Sequence, residues 1–326
     1  MNASNAKRLL SLAISLALLA LLILSVDRAA LAGVLNGIHP GWFTAAIIFF
    51  IPQILAIARR WALIAQPVAP LNWREAGRQV LASNCLNLVL PSKLGDLAKG
   101  VFLYRQGRCG LAAGMQIVVF EKLLDLAALS AWMILGWMLA PRMDWWVLAV
   151  LVLGAVLVAV VWAVYFTPGA AGRLAALVPA GMRKLKPAAK ILGLLESAPG
   201  VARLVHADGG RRGRIVAWSF TIWLLHLLQI ACFFRAVHVD ANVFEVMARM
   251  PIAIFAGLMP LSIAGVGVRD WAIVAIFASA GNPRAALVAA GLLVSLRYVV
   301  PAIGGLPYIG GYLTMARQAK EAGGKG

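Results

Sequence analysis

Apolar runs of about twenty residues recur along the whole of this chain, and that is the length an α-helix needs to cross a ~30 Å hydrocarbon core. Backbone amides and carbonyls in hydrocarbon must be satisfied within their own segment, which leaves the helix as the spanning element here. Composition agrees: hydrophobic residues make up 62% of the 326 and charged residues 13%, too little polar surface to cover a soluble core. A net charge of +18 would suit a nucleic-acid binder. In a membrane protein it reads instead as cytoplasmic loops rich in Lys and Arg beside anionic headgroups. Membrane lipids are therefore the expected partners and nucleic acid is not. Homo-oligomer formation is left open. Cys85, Cys109 and Cys232 lie in or beside apolar stretches without metal-ligand or disulfide spacing, and no metal or other cofactor is expected.

Six segments read as full crossings: 9–26, 43–65, 111–140, 144–166, 215–237 and 285–313. Lys7 and Arg8 precede the first, and Ala30-Leu31-Ala32 resembles a signal-peptide cleavage site. The run is long for a signal sequence and more helices follow, so an uncleaved first helix is predicted. Trp42, Trp61, Trp145, Trp146 and Trp218 fall near helix ends, as interface anchors do. Two further apolar stretches are interrupted. The first, 80–104, is broken by Leu90-Pro91-Ser92-Lys93-Leu94-Gly95-Asp96. The second, 244–281, is broken between Met259-Pro260 and Arg269-Asp270 by a segment holding Gly265 and Gly267. Proline removes a backbone donor and glycine admits non-helical dihedrals, so each stretch is predicted to be a re-entrant pair of half-helices.

Charge counting supports that topology. With both stretches re-entrant and the N-terminus inside, 21 of the 30 basic residues fall on the cytoplasmic side, Arg59, Arg60 and Lys99 among them. A full crossing at 80–104 would translocate the basic 167–214 loop, against the positive-inside rule. The predicted fold is thus an all-α polytopic membrane protein with about six full transmembrane helices, two re-entrant pairs and an inverted repeat. Residues 1–140 form the first repeat, 141–166 and 215–313 the second, 167–214 a basic cytoplasmic linker, and 314–326 a cytoplasmic tail. Interrupted segments at matching places in oppositely oriented halves point to a transporter with its site between the halves.

Eight ionisable residues fall at membrane depth: Lys93, Asp96, Glu121, Lys122, Asp125, Arg269, Asp270 and Arg297. Unpaired, each costs ~2.5–3.5 kcal/mol at a helix centre, so they must pair or face a wet cavity. Glu121 and Asp125 share a helix face and Lys122 reaches Asp125 at i, i+3. The economical arrangement is one central polar site where both breaks meet the third and sixth helices. Such charges mark pathways or sites by default, and clamping the halves together is the alternative. Asn84 and Asn87 precede the first break and are candidate cavity residues. Ser262, Gly265 and Gly267 are candidates for an anion-accepting nest. His226 and Gln229 share a face and read as a helix-packing pair.

The motifs resemble a known family. Asn84 to Lys99, with Leu90-Pro91 and Gly95-Asp96, is similar to an Asn…Leu-Pro…Gly-Glu…Arg signature in the transmembrane region of lysylphosphatidylglycerol synthases and related flippase-like proteins. Glu121-Lys122-Leu-Leu-Asp125 resembles that family's Glu-Arg-x-x-Asp element, and Pro260 to Asp270 its Pro…Gly-Gly-x-Gly-x-Arg-Glu element. Asp96 and Asp270 stand where Glu is usual, Lys99 and Lys122 where Arg is usual, and Ala264 for the first glycine of the third motif. Lysine keeps the charge but loses the bidentate fork. The resemblance implies movement of a phospholipid or lipid-linked headgroup between leaflets of a bacterial inner membrane. It also implies that the soluble aminoacyl-transferase domain of the bifunctional members is missing, since the chain ends at Gly326 soon after the sixth expected helix. Lys93, Arg269 and Arg297 would neutralise phosphate while the carboxylates orient them. An integral-membrane enzyme acting on a lipid-linked substrate and a small-solute transporter are the alternatives. The scattered histidines offer no metal constellation and no nucleotide-binding motif is present, so the chain is expected not to be an enzyme.

Overall fold

The computed structural model describes residues 3–90, 94–140, 145–167, 169–179, 192–193, 208–258, 265–278 and 281–323. Pro91, Ser92 and Lys93 of the first expected break, Pro260 and Ser262 of the second, and most of the expected linker lie outside the described residues. Among the described residues every regular element is a helix: α1 (Ala3–Leu24), α2 (Arg28–Asn36), α3 (Pro40–Ile48), α4 (Phe50–Ala65) and α5 (Trp73–Val89). A 3-10 turn (Leu94–Leu97) leads into α6 (Ala98–Arg105), followed by α7 (Leu111–Leu139), α8 (Trp145–Phe166) and α9 (Ala170–Ala176). The remainder is α10 (Gly209–Ala236), α11 (Val243–Gly257), α12 (Val268–Ala278) and α13 (Arg284–Gly323).

Among the described residues four helices are long and apolar enough to cross a membrane: Pro40–Ala65, which is α3 continued into α4, Ala149–Phe166, Gly209–Ala236 and Arg284–Gly310. The chain is a multi-pass membrane protein. A fifth span results if α1 and α2 count together, although they are bent by 93°. The bend follows from Asp27, whose carboxylate caps α2 by accepting the Ala30 amide (3.0 Å). The expected third crossing, α7, has 29 residues and spans about 44 Å at 1.5 Å per residue. It carries Glu121, Lys122 and Asp125 and is not among the four. A second difference lies in Gly209-Gly210-Arg211-Arg212-Gly213-Arg214, expected as part of the linker. Here it forms the first turns of α10, because Asp208 caps the helix by accepting the Arg211 amide (2.9 Å), which offsets the glycines' poor helix propensity.

Both interrupted stretches fold back on themselves. Leu90 leaves α5 in an extended conformation (φ −99°, ψ 136°), as a residue before proline does. The chain then returns so closely that a Cβ on Gly95 would lie 2.5 Å from the Asn87 amide nitrogen. In the second stretch an Asn242–Glu245 capping box starts α11. Gly265 (φ +77°) brings the returning chain against Gly257, where a Cβ would lie 2.7 Å from the Gly257 carbonyl oxygen. A left-handed φ and this proximity both demand glycine.

The helix that enters each break packs on a long helix distant from it in the sequence. α5 packs along α13 and α11 along α7, while α4 and α10 meet between them. Small residues allow the close approaches: Gly136 of α7 lies against Met247 and Ala248 of α11, and Gly305 of α13 lies against Leu81 and Cys85 of α5. A Cβ on Gly136 would meet the Ala248 nitrogen and the Met247 Cβ at 2.6 Å. Gly136→Val is therefore expected to overpack this seam and lower stability by about 1–3 kcal/mol, read as the thermal midpoint of the purified protein. Gly33→Val, at a glycine with open space around it, serves as the control. At the α4–α10 crossing the buried Gln53 donates to Gln229 Oε1 (3.0 Å) and to the Leu225 carbonyl (3.1 Å), while Gln229 donates to the Ala46 carbonyl (2.8 Å). These bonds satisfy amides that would be costly to bury unpaired.

Candidate functional site

A cavity of about 330 Å³ lies among α4, α5, α7, α10, α11 and α13. The helix periodicity puts Glu121, Lys122, Asp125, Leu126 and Leu129 of α7 along it, with Arg60, Ile57, Ile54 and Gln53 of α4 facing them. Along both helices the lining passes from charged to apolar. Ile222 of α10, Ile254 and Leu258 of α11 and Pro301 of α13 complete the apolar part.

The charged part is a closed network. Arg60 is 2% exposed and donates to Asp125 Oδ1 (2.6 Å), Glu121 Oε1 (3.1 Å) and Ser219 Oγ (3.2 Å). Lys99 donates to the other Glu121 oxygen and sits over the Trp61 ring, 4.6 Å from its centroid. Trp61 is itself held by Gln79 (2.8 Å). Lys122 bridges Asp96 (2.8 Å) and Asp125 (3.1 Å), Asn87 donates to Asp96 (3.1 Å), and Trp223 donates to Asp125 (3.2 Å). Three cations thus meet three carboxylates. Lys122 is the opening in this arrangement, since its side chain is 39% exposed while Arg60, Lys99 and Glu121 are sealed.

Arg297 of α13 lines the same cavity. Its Nε and Nη1 are buried and donate to no acceptor among the described residues. With the other six charges mutually neutralised, its guanidinium leaves the described lining with one surplus positive charge.

Of the residues singled out from the sequence, Asn84, Asn87, Asp96, Lys99, Glu121, Lys122, Asp125 and Arg297 line this cavity. Arg269, Asp270, Gly265 and Gly267 do not; they form a second, buried cluster. Arg269 is 1% exposed and donates from Nε to Asp270 Oδ1 (2.9 Å) and from Nη2 to Ser295 Oγ (2.7 Å). Its guanidinium lies 5.3 Å from the Tyr298 ring centroid. The Gly267 amide, expected to face an anion, donates to Asp270 Oδ2 instead (3.0 Å). Arg269 and Asp270 thus lie beside the cavity and not on its lining, because the α12 carboxylate caps its own helix and draws the adjacent arginine with it. Lys93 and Ser262 lie outside the described residues. His226 lines the cavity with its ring 5.5 Å from that of Trp223, while Gln229 turns to α3 and α4.

Arg60, Ser219 and Trp223 were not anticipated. Arg60 was assigned to the cytoplasmic end of its helix, yet it lies five residues inside α4 and seven after Gln53, which puts both on one face. That shared face was the available signal. Lys99, also assigned to the cytoplasmic side, is 2% exposed.

A model of the lysylphosphatidylglycerol synthase TM region family matches residues 8–305. No curated protein matches the chain.

Proposed function

Because this chain belongs to the family of the lysylphosphatidylglycerol synthase transmembrane region, we propose that it is a translocase that moves a phosphate-bearing lipid headgroup between leaflets of the bacterial inner membrane. The observation that carries this reading is Arg297, a cavity-lining guanidinium with two buried nitrogens that meet no acceptor among the described residues. A buried cation left unpaired is expensive, and an anionic headgroup supplies the missing charge and acceptors together. The apolar part of the lining, with Leu129, Ile254 and Leu258, suits the glycerol backbone and the start of the acyl chains. Lys122, bridging Asp96 and Asp125 at the exposed edge of the network, is the group placed to rearrange as the headgroup passes.

The topology behind this reading is two re-entrant hairpins, α5–α6 and α11–α12, in halves of opposite orientation with both termini cytoplasmic. Supporting it, each hairpin packs on the last helix of the other half, so that rocking one half against the other changes access to the cavity. The test reconstitutes the protein into vesicles with leaflet-reporter phospholipids, anionic and zwitterionic, with and without ion gradients. Faster loss of asymmetry for a phosphate-bearing lipid is the expected result. No acceleration for any lipid under any gradient would reject translocation.

A further inference from the structure

At the far end of α5 from its break lies a second cleft of about 320 Å³, lined by Asn72, Arg74, Glu75, Arg78 and Gln106. Its electrostatics are one-sided. Glu75 is engaged by Arg108, which also donates to the Pro70 carbonyl (2.8 and 2.7 Å). Arg74 and Arg78 have no carboxylate among the described residues; their guanidinium groups lie 5.5 and 5.9 Å from the ring centroids of Trp73 and Tyr308. Gln106 contributes a buried side-chain oxygen that no donor among the described residues satisfies. The cleft therefore offers two cations and one orphan acceptor.

Its depth follows from the helices. Trp73, 41% exposed, is held between Arg59 and Arg74 just past the C-terminal end of the Pro40–Ala65 span. Tyr308 lies at the end of the Arg284–Gly310 span. Two spans ending beside an exposed indole and a tyrosine place this surface at the membrane–water boundary, where such rings settle. We infer that the cleft is a second binding site, separate from the cavity, for a membrane lipid whose headgroup carries a phosphate and a free hydroxyl. Arg74 and Arg78 hold the phosphate, and the Gln106 oxygen accepts from the hydroxyl. This inference concerns binding alone and stands whether or not the protein translocates lipid.

The experiment measures lipid retained by the purified full chain in native mass spectrometry. The probes are phosphatidylinositol, phosphatidic acid and phosphatidylcholine, with soluble inositol 1-phosphate as competitor. The wild type is expected to retain phosphatidylinositol best, and R74Q/R78Q to lose roughly tenfold or more in affinity for it and for phosphatidic acid. Gln106→Leu is expected to weaken phosphatidylinositol several-fold and to leave phosphatidic acid unchanged. Gly33→Val, at a glycine that lines neither cavity, should leave this retention intact. Unchanged retention in R74Q/R78Q would overturn the site, and unchanged phosphatidylinositol retention in Gln106→Leu would overturn the hydroxyl assignment. Inositol 1-phosphate binding as tightly as phosphatidylinositol would show that the acyl chains contribute nothing, identify the occupant as the free sugar phosphate and overturn the lipid. If the double variant fails to fold, Arg74→Gln alone, at an exposed position, carries the same comparison.

Discussion

Glu121→Gln is expected to destabilise the protein by about 3–5 kcal/mol, the usual cost of removing one partner from a buried ion pair. Glu121 is fully buried and holds Arg60 with one oxygen and Lys99 with the other. Arg60 keeps Asp125 when Glu121 is neutralised (2.6 Å). Lys99 loses its hydrogen-bonded carboxylate and keeps the Trp61 ring and the more distant charge of Asp96, too little to compensate a cation in a sealed place. Against a total stability of ~5–15 kcal/mol this is a large fraction. The second substitution gives the prediction its edge: Glu121→Gln with Lys99→Met removes both charges and is expected to recover most of the loss. Cys85 is buried and free, so its reaction with a thiol dye on heating reports the unfolding midpoint. A Glu121→Gln variant as stable as the wild type would mean that the network is not an ion-paired one.

Arg297→Gln should act in the opposite direction on stability and more severely on activity. Removing a guanidinium with two buried, unsatisfied nitrogens relieves a desolvation penalty of about 1–3 kcal/mol, so the thermal midpoint should rise. Lipid movement in vesicles should fall by roughly ten- to a hundredfold, the value of charge-assisted bonds to a phosphate at ~1.5–3 kcal/mol. Arg297→Lys should keep part of the activity, since it retains the charge without the fork. Stability and transport moving apart is the signature of a site residue. A fall in both would identify Arg297 as a packing element and remove the main support for headgroup capture.

Much of this was legible in the chain. Apolar runs of membrane-spanning length imply a helical membrane protein whatever their partners, because unsatisfied backbone cannot remain in hydrocarbon. Proline and glycine clusters mark where helices end, and the backbone does turn at Leu90 and Gly265. Spacing within one helix is equally local: Glu121, Lys122 and Asp125 share a face by periodicity, and the Lys122–Asp125 pair forms at 3.1 Å.

What the tertiary structure decided is which faces oppose one another. Arg60 and Asp125 are 65 positions apart and Trp223 and Asp125 98 apart, and no local periodicity selects such partners. Arg297 Nε and Nη1 meet no acceptor among the described residues, while Asp270 is committed to Arg269 and the Gly267 amide. The sequence by itself determined the solvent this protein folds in, where its helices break, and the balance of its buried charge. The crossing of the helices determined which charges neutralise each other and which one meets no carboxylate among the described residues. Pairing across helices depends on depth and rotation, set by close contacts such as Gly136 on Met247 and Gly305 on Leu81, and those exist only once the chain is packed.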